Sequence, residues 1–445
     1  MALTGLEIFK HLPKTNCGEC GSPTCLAFAM QLAAKKVSLE KCPYVSEEGK
    51  AALDAASAPP IRLVTIGVKN PFKAGNETVM FRHEESFYHP TGIAATVSDT
   101  SSDSEIADRI SKIKSLSYER VGQILKVDLV AVVNESKNAE KFANAAKKAA
   151  ELSDLPLVLV TSDPSAAEAA LKVCKDDKPL LCGANPENLD KMAELAKTYA
   201  CSLVVQADNL DTLSELAHHS ASKGVQDVVL NPTVESLGAL IKGVTQIRRQ
   251  ALKKNFRPLG YPILINVMGD DTFKETIKAG AFVSKYGGIV ITNAIEKWQI
   301  LPLLTLRQNI YTDPRKPIMV DAKLYKIGEP GKDAPVLVTT NFSLTYFVVA
   351  GEVEASKVPA YIISVDTEGL SVMTAWAAEK FTAEHIAKSI NTSGIAELVS
   401  HNKLIIPGYV AVMSGELEEE TKREVLVGPR EASGIPSYLK TVWKP

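Results

Sequence analysis

The chain has 445 residues, too many for one hydrophobic core and, at roughly 100–200 residues per domain, enough for two to four; three is the working number. Apolar residues at 45% and charged residues at 23% describe an ordinary globular protein, and a net charge of -2 offers no general attraction to nucleic acid. The start MALTGLEIFKHL is short and amphipathic, without a basic n-region, and no stop-transfer segment follows, so a cytoplasmic location away from the membrane is expected.

Four of the seven cysteines fall in the first 42 residues, as Cys17-x2-Cys20-x4-Cys25-x16-Cys42. Clustered thiols in a large cytosolic chain point to metal or redox chemistry and away from a disulfide framework. Iron-sulfur iron is soft and takes thiolates, and a tight Cys17–Cys25 loop can wrap one face of a cubane while Cys42 closes the other. Gly18 and Gly21 permit the turns. Residues 26–36 read as a helix that returns the chain to Cys42. Tetrahedral zinc is the alternative, although structural zinc more often uses two knuckles of similar size. Cys174, Cys182 and Cys201 lack ligand spacing and read as small buried hydrophobes.

A linker-like stretch at 52–60 separates this module from a long alternation of strands and amphipathic helices. Strands are predicted at 61–68, 125–133, 156–161, 179–182, 202–205, 227–230, 262–266 and 288–292, with helices at 139–152, 187–199, 211–222 and 234–253. Eight strands with helical crossovers, spread over 61–325, predict a (β/α)8 TIM barrel, with an open doubly wound sheet as the alternative. Barrel sites lie at the C-terminal strand ends, here Asn134, Thr161, Gln206, Asn231, Asn266 and Thr292. No general base or metal constellation accompanies them. His218 and His219 diverge on a helix surface and His83 and His89 sit in a loop, so the barrel reads as a scaffold or docking surface.

A turn-rich linker at 326–332 opens a smaller βα pattern, with strands predicted at 335–339, 360–364, 403–406 and 424–427. Each is followed by a polar or glycine-containing turn, at 340–343, 366–371, 407–409 and 428–434. If the strands are parallel, these turns share the edge where open α/β sheets bind ligands. Plain βα turns without a ligand are the alternative. None matches the dinucleotide or P-loop glycine pattern.

The cysteine motif Asn16 to Cys25 plus Cys42, followed by the barrel pattern and the turns at 339–346, 369–374 and 428–434, resembles the large (gamma) subunit of the corrinoid iron-sulfur proteins of the reductive acetyl-CoA (Wood-Ljungdahl) pathway. The resemblance covers essentially the whole chain. It implies a 4Fe-4S domain at 1–57 on Cys17, Cys20, Cys25 and Cys42, a TIM barrel at 58–325, and a Rossmann/flavodoxin-like corrinoid (cobamide, vitamin B12-type) domain at 326–445. Corrinoid contacts are then expected from Thr340, Tyr346, Leu370, Ser371, Val372, Met373 and Ser433, with Thr374 below the cobalt.

The implied role is a methyl carrier more than an enzyme. Its cobalt, as Co(I), accepts a methyl group from methyltetrahydrofolate through a separate methyltetrahydrofolate:corrinoid methyltransferase. The group passes to the nickel-iron-sulfur centre of acetyl-CoA synthase/CO dehydrogenase, and the cluster re-reduces Co(II). A small subunit completes a heterodimer. No D-x-H-x-x-G motif is present, and neither His385 nor His401 has its context. Lack of a strong axial nitrogen keeps Co(I) reachable, since about 1.4 kcal/mol of preference for the oxidised state lowers a one-electron potential by about 59 mV. Two other readings stand beside this one: an iron-sulfur electron-transfer protein with docking domains, and a methyltransferase whose barrel binds folate.

Overall fold

A computed structural model describes residues 5–33, 37, 39–46, 49–50, 53, 59–234, 236–313 and 316–445. Of the expected linker at 52–60, only Leu53, Pro59 and Pro60 are described, and the end of the helix predicted at 26–36 also lies outside the described residues. Two compact units are present, one of residues 1–80, 88–110 and 128–294, the other of residues 81–87, 111–127 and 295–445.

The first predicted strand is not a barrel strand. Val64–Ile66 (β1) pairs antiparallel with Phe72–Ala74 (β2), and its buried-exposed-buried alternation is that of a two-faced hairpin. The barrel strand comes later, at Gly92–Ser98 (β3), between the first two predicted strands, where no strand was predicted. Its sequence GIAATVS is buried almost throughout, yet it is built of small residues with little apolar bulk, so its strand signal is weak. The predicted strand at 125–133 also divides. Ser117–Arg120 (β4) and Gln123–Lys126 (β5) form an antiparallel hairpin in the second unit, and Leu129–Val133 (β6) joins the barrel.

The remaining barrel strands are Leu157–Val160 (β7), Leu180–Ala184 (β8), Ser202–Ala207 (β9), Val228–Pro232 (β10), Leu264–Asn266 (β11) and Ile289–Thr292 (β12), all near their predicted places. They pair in parallel with β3 and β6 in the order β10-β9-β8-β7-β6-β3-β12-β11. A parallel bridge between Leu230 and Ile263 joins the two ends of that order. Parallel neighbours need long crossovers, which the helices Ala139–Leu152, Pro164–Cys174, Leu189–Thr198, Leu210–Ser222, Leu237–Lys254 and Thr272–Ser284 supply. Asn138, Asp163, Asn209 and Asp271 cap four of them by accepting first-turn N–H bonds.

Inside the barrel, Ala94, Leu129, Val158, Leu180, Val204, Val229, Leu264 and Ile289 meet Val64, Ile66 and Phe72 of the β1–β2 hairpin in one core. Gly67 N–H donates to the Lys178 carbonyl just before β8, and Arg62 N–H to the Gly260 carbonyl just before β11. The hairpin therefore closes the N-terminal mouth and leaves the C-terminal mouth as the open end.

In the second unit, Leu324–Ile327 (β13), Val336–Thr340 (β14), Ala360–Val365 (β15), Lys403–Ile406 (β16) and Glu424–Val427 (β17) form a sheet in the order β13-β15-β14-β16-β17. The last four are parallel, and β13 runs antiparallel along β15. Lys326 and Ile327, expected in a linker, pair with Tyr361 and Ala360. Period-two alternation sends Val336, Val338, Ile363 and Leu404 to one core and Leu337, Ile362 and Ile405 to the opposite one. The chain order reverses between β14 and β16, which opens a crevice at their C-terminal ends.

Gly92 is where the hairpin and barrel meet most closely: an added Cβ would lie 2.5 Å from Phe72 Cζ and 2.8 Å from Leu129 Cδ1. Gly92→Val is expected to cost about 1–3 kcal/mol through overpacking, read as a lower midpoint in urea at unchanged slope. An unchanged midpoint would remove the hairpin as a fixed plug.

Candidate functional site

All four N-terminal cysteines are free thiols; Cys25 and Cys42 are buried, Cys20 is half-buried and Cys17 is exposed. A small core of Ile8, Leu12, Phe28, Ala29 and Val45 takes in Cys25 and Cys42, with Cys20 packed against it. Gly18 and Gly21 turn at φ +77° and +82°, and Asn16 sits at φ +48°. Space is open around both glycines, so it is the backbone angle that selects them. Asn16 Oδ1 accepts the Cys25 N–H at 2.8 Å and fixes the first residue of the helix Cys25–Ala33 to the front of the loop. Thr24 Oγ1 caps that helix by accepting from Ala27 N–H at 3.0 Å.

The Cys42 segment returns to this loop. Tyr44 donates its hydroxyl to Glu19 Oε1 at 2.8 Å, and that bond, with the charges of Glu19 and Cys17, raises the phenol pKa. Among the described residues, no three His, Cys, Asp or Glu side chains close on one position for a single metal ion. An all-sulfur donor set on one loop and its returning strand of chain suits a cluster, whose iron takes thiolates. Cys174, Cys182 and Cys201 differ: all are buried, and burial pushes each thiol up to about 12, which keeps it neutral and core-like.

The second candidate site is the C-terminal edge of the β13–β17 sheet. Thr339, Thr340, Ser343 and Ser364 are buried there, and the hydroxyl oxygen of each has no hydrogen-bond partner among the described residues. Thr339 and Ser364 are register partners on β14 and β15, so their side chains stand together on one face. Each such hydroxyl costs about 1–3 kcal/mol relative to a bonded one. Beside Thr339, a pocket of about 120 Å³ opens between β14 and β16, walled by Val372, Ile406, Pro407, Gly428 and Ile435.

Of the sequence-predicted residues, Thr340 is fully buried, Val372 lines the pocket, and Leu370 packs half-buried on one core. Ser371 and Thr374 share a hydrogen bond at 3.0 Å at the head of the helix Val372–Ala377, where Met373 is exposed. Ser433 is exposed in the turn after β17. The Tyr346 ring lies tilted against that of Tyr325, with centroids 4.4 Å apart, on the opposite core, and burial pushes its phenol up to about 12. Thr339, Ser343 and Ser364 were missed. Their signal was a hydroxyl at or just past the end of an otherwise apolar strand.

Asn341 holds the edge together. Its Oδ1 accepts from Thr367 N–H, Thr367 Oγ1 and Gly369 N–H, each at 3.0 Å, while its Nδ2 donates to Asp366 Oδ1 at 3.0 Å. Gly369, at φ +74°, has Met319 and Pro317 against its missing Cβ. His401 lies at the other edge, bonded to the Ala334 carbonyl ahead of β14, and His385 Nδ1 lies 3.2 Å from the Lys380 carbonyl.

At the barrel's C-terminal mouth the six predicted strand-end residues separate by parity. Val204, Val229 and Leu264 point inward, so Gln206, Asn231 and Asn266, two residues on, do the same. Asn134, Thr161 and Thr292 belong to the opposite, helix-facing parity: Asn134 Nδ2 donates to Thr161 Oγ1 at 2.9 Å, and Thr292 Oγ1 donates to Glu275. The histidines follow their surface reading, with His219 2.9 Å from Asp190 on an exposed face and His89 bonded to the Gly75 carbonyl.

Residues 63–439 match the family model described as CO dehydrogenase/acetyl-CoA synthase delta subunit, and residues 12–44 match one described as "Putative Fe-S cluster". The corrinoid/iron-sulfur protein large subunit of Moorella thermoacetica is 46% identical over 441 residues, covering 99% of both chains. This chain belongs to the corrinoid/iron-sulfur protein large-subunit family. Archaeal relatives carry the name acetyl-CoA decarbonylase/synthase complex subunit gamma; that of Methanothermobacter thermautotrophicus is 39% identical over 453 residues and 99% of both chains. Dihydropteroate synthase from Thermus thermophilus matches 57% of this chain and 100% of its own at 14% identity and a TM-score of 0.39, too weak a likeness to argue from. Among the described residues, no helix is long and apolar enough to cross a membrane.

Asn341→Ala strips the 366–370 turn of four bonds and leaves buried N–H groups unpaired. A loss of about 1–3 kcal/mol is expected, with faster hydrogen exchange at Thr367 and Gly369 than at the strand amides. Exchange rising uniformly across the sheet would count against Asn341 as the local lock.

Proposed function

We propose that this chain is the methyl-carrying large subunit of its complex, with a 4Fe-4S domain at 1–57, a barrel at 58–325 and a flavodoxin-like corrinoid domain at 326–445. When bound, a corrinoid supplies a cobalt atom that accepts and releases a methyl group, and the cluster supplies single electrons at low potential. The observation that carries the reading is the set of partnerless hydroxyls of Thr339, Thr340, Ser343 and Ser364 at the reversal point of a parallel sheet. A corrinoid rim carries amide arms and a phosphate-bearing tail, which need donors and acceptors of this kind.

In this reading Thr340, Tyr346, Leu370, Ser371, Val372, Met373 and Ser433 would supply the rim and tail contacts of the corrinoid, and Thr374 would serve its lower face. Thr374, tied to Ser371, offers an oxygen where a histidine would offer a stronger nitrogen. The turns at 340–346, 366–374, 407–413 and 428–434 contain no histidine, so a corrinoid held there would meet hydroxyl and amide groups and no imidazole. Asn341 orients the turn, and Cys17, Cys20, Cys25 and Cys42 hold the cluster. The reading takes a small subunit as heterodimer partner, a methyltetrahydrofolate:corrinoid methyltransferase as the donor side and acetyl-CoA synthase as the acceptor side. The chain's own residues bind and orient; bond-making belongs to the partners.

Anaerobically purified protein, with its partner subunit, is expected to contain both iron and cobalt; iron without cobalt or corrinoid absorption bands would end the proposal. Cys20→Ala should abolish reductive reactivation and leave methyl transfer from pre-reduced protein largely intact, whereas equal loss of both would make the cluster structural.

Thr339→Val has an expected sign split. Removing a partnerless hydroxyl leaves the corrinoid-free protein as stable or up to about 1 kcal/mol more stable, while corrinoid retention weakens. Destabilisation of the corrinoid-free form would give Thr339 a structural role instead.

A further inference from the structure

The barrel's C-terminal mouth plays no part in the methyl-carrier reading, yet it is built as a site. Gln206 and Asn231 are register partners on adjacent parallel strands, and Asn266 stands inward on the next. Asn231 is 4% exposed, with most of its side chain inside the mouth. Its Nδ2 lies 3.5 Å from Gln206 Oε1, the long limit of a hydrogen bond. Asn231 Oδ1, Gln206 Nε2 and Asn266 Nδ2 have no hydrogen-bond partner among the described residues. A neighbouring pair in the inward layer behaves differently: Thr96 Oγ1 donates to Asn293 Oδ1 at 2.6 Å.

The open groups face a cavity of about 390 Å³, within the range of small-molecule sites. Leu237, Leu240, Met268 and Phe282 give it apolar walls, and Lys278 is the one charged side chain among its described lining residues. A polyanion would find a single cation there, and the cavity offers amide groups beside apolar side chains. A flat heterocycle matches both features. Its faces suit the walls, and a carboxamide, with C=O and NH₂ in one plane, pairs with an edge carrying N–H beside C=O, as asparagine does with a base edge.

We propose that this mouth binds a planar nitrogen heterocycle with a lactam edge, read by the carboxamides of Gln206, Asn231 and Asn266. Pterins, flavins and purinones share that edge. The inference is independent of the corrinoid reading, because it uses no residue of the β13–β17 sheet or the cysteine module.

Equilibrium dialysis of the complete protein, with its partner subunit, against guanosine, riboflavin and tetrahydrofolate at up to about 1 mM tests it. Saturable binding of one of the three is expected. An N-methylated counterpart, lacking the lactam N–H, and the Asn231→Leu variant should each weaken that binding by about tenfold or more. Iron and cobalt contents of the same samples should stay unchanged, which separates this test from that of the methyl carrier. If none of the three binds saturably, or if Asn231→Leu shifts affinity by less than about twofold, the proposal is overturned. Should Asn231→Leu fail to fold, Asn266→Leu at an exposed position poses the same question.

Discussion

Parallel strand pairing is the constraint on which both large parts of this protein depend. Strands that run the same way cannot be joined by tight turns, so each crossover carries the chain back along a helix. All the turns that follow strands then gather at one edge. In the barrel that edge is the open mouth with Gln206, Asn231 and Asn266, because the β1–β2 hairpin fills the other one. In the second unit it is the edge with Thr339, Thr340 and Asn341. One rule of pairing accounts for where polar side chains collect in two sheets of different closure.

Period-two alternation then decides what those edges present. Along β9, β10 and β11 an apolar inward layer of Val204, Val229 and Leu264 is followed by an amide layer, the step at which a barrel core gives way to a site. Along β14 and β15 the apolar runs end in Thr339 and Ser364 on one face. In both places the strand stays regular while its last residues become polar. Such residues contribute nothing to the core and lower stability when left unpaired, so their position marks ligand chemistry more sharply than any loop does.

Much of this was legible in the sequence, for identifiable reasons. The cysteine spacing stood out because four thiols so close in sequence are the donor set that a metal cluster needs. Strands such as β6, β7, β16 and β17 are valine-, leucine- and isoleucine-rich, and the helix Ala139–Leu152 is amphipathic and capped, so pattern alone places them. Gly92–Ser98 escaped because it is built of small residues that carry little signal, and at Gly92 the closeness of Phe72 and Leu129 leaves no room for a larger one. The division of the strand-end polar residues into inward and helix-facing sets needed strand register, which a single sequence does not contain. The partnerless hydroxyls escaped for the same reason: Thr339 and Ser364 lie 25 positions apart and become neighbours only through the pairing of β14 with β15.

The cysteine module follows a different logic from the sheets. Its described core, Ile8, Leu12, Phe28, Ala29, Val45 and Leu53, is small, and small domains commonly draw stability from metal or disulfides. Here the thiols are free, and two of them are buried within that same core. Asn16, Gly18 and Gly21 hold the loop in angles that other residues resist, and Asn16 takes up the Cys25 N–H with its side chain. Preforming the loop in this way reduces the ordering that binding at these cysteines must drive, because the angles and the Cys25 N–H are already fixed by Asn16 and the two glycines.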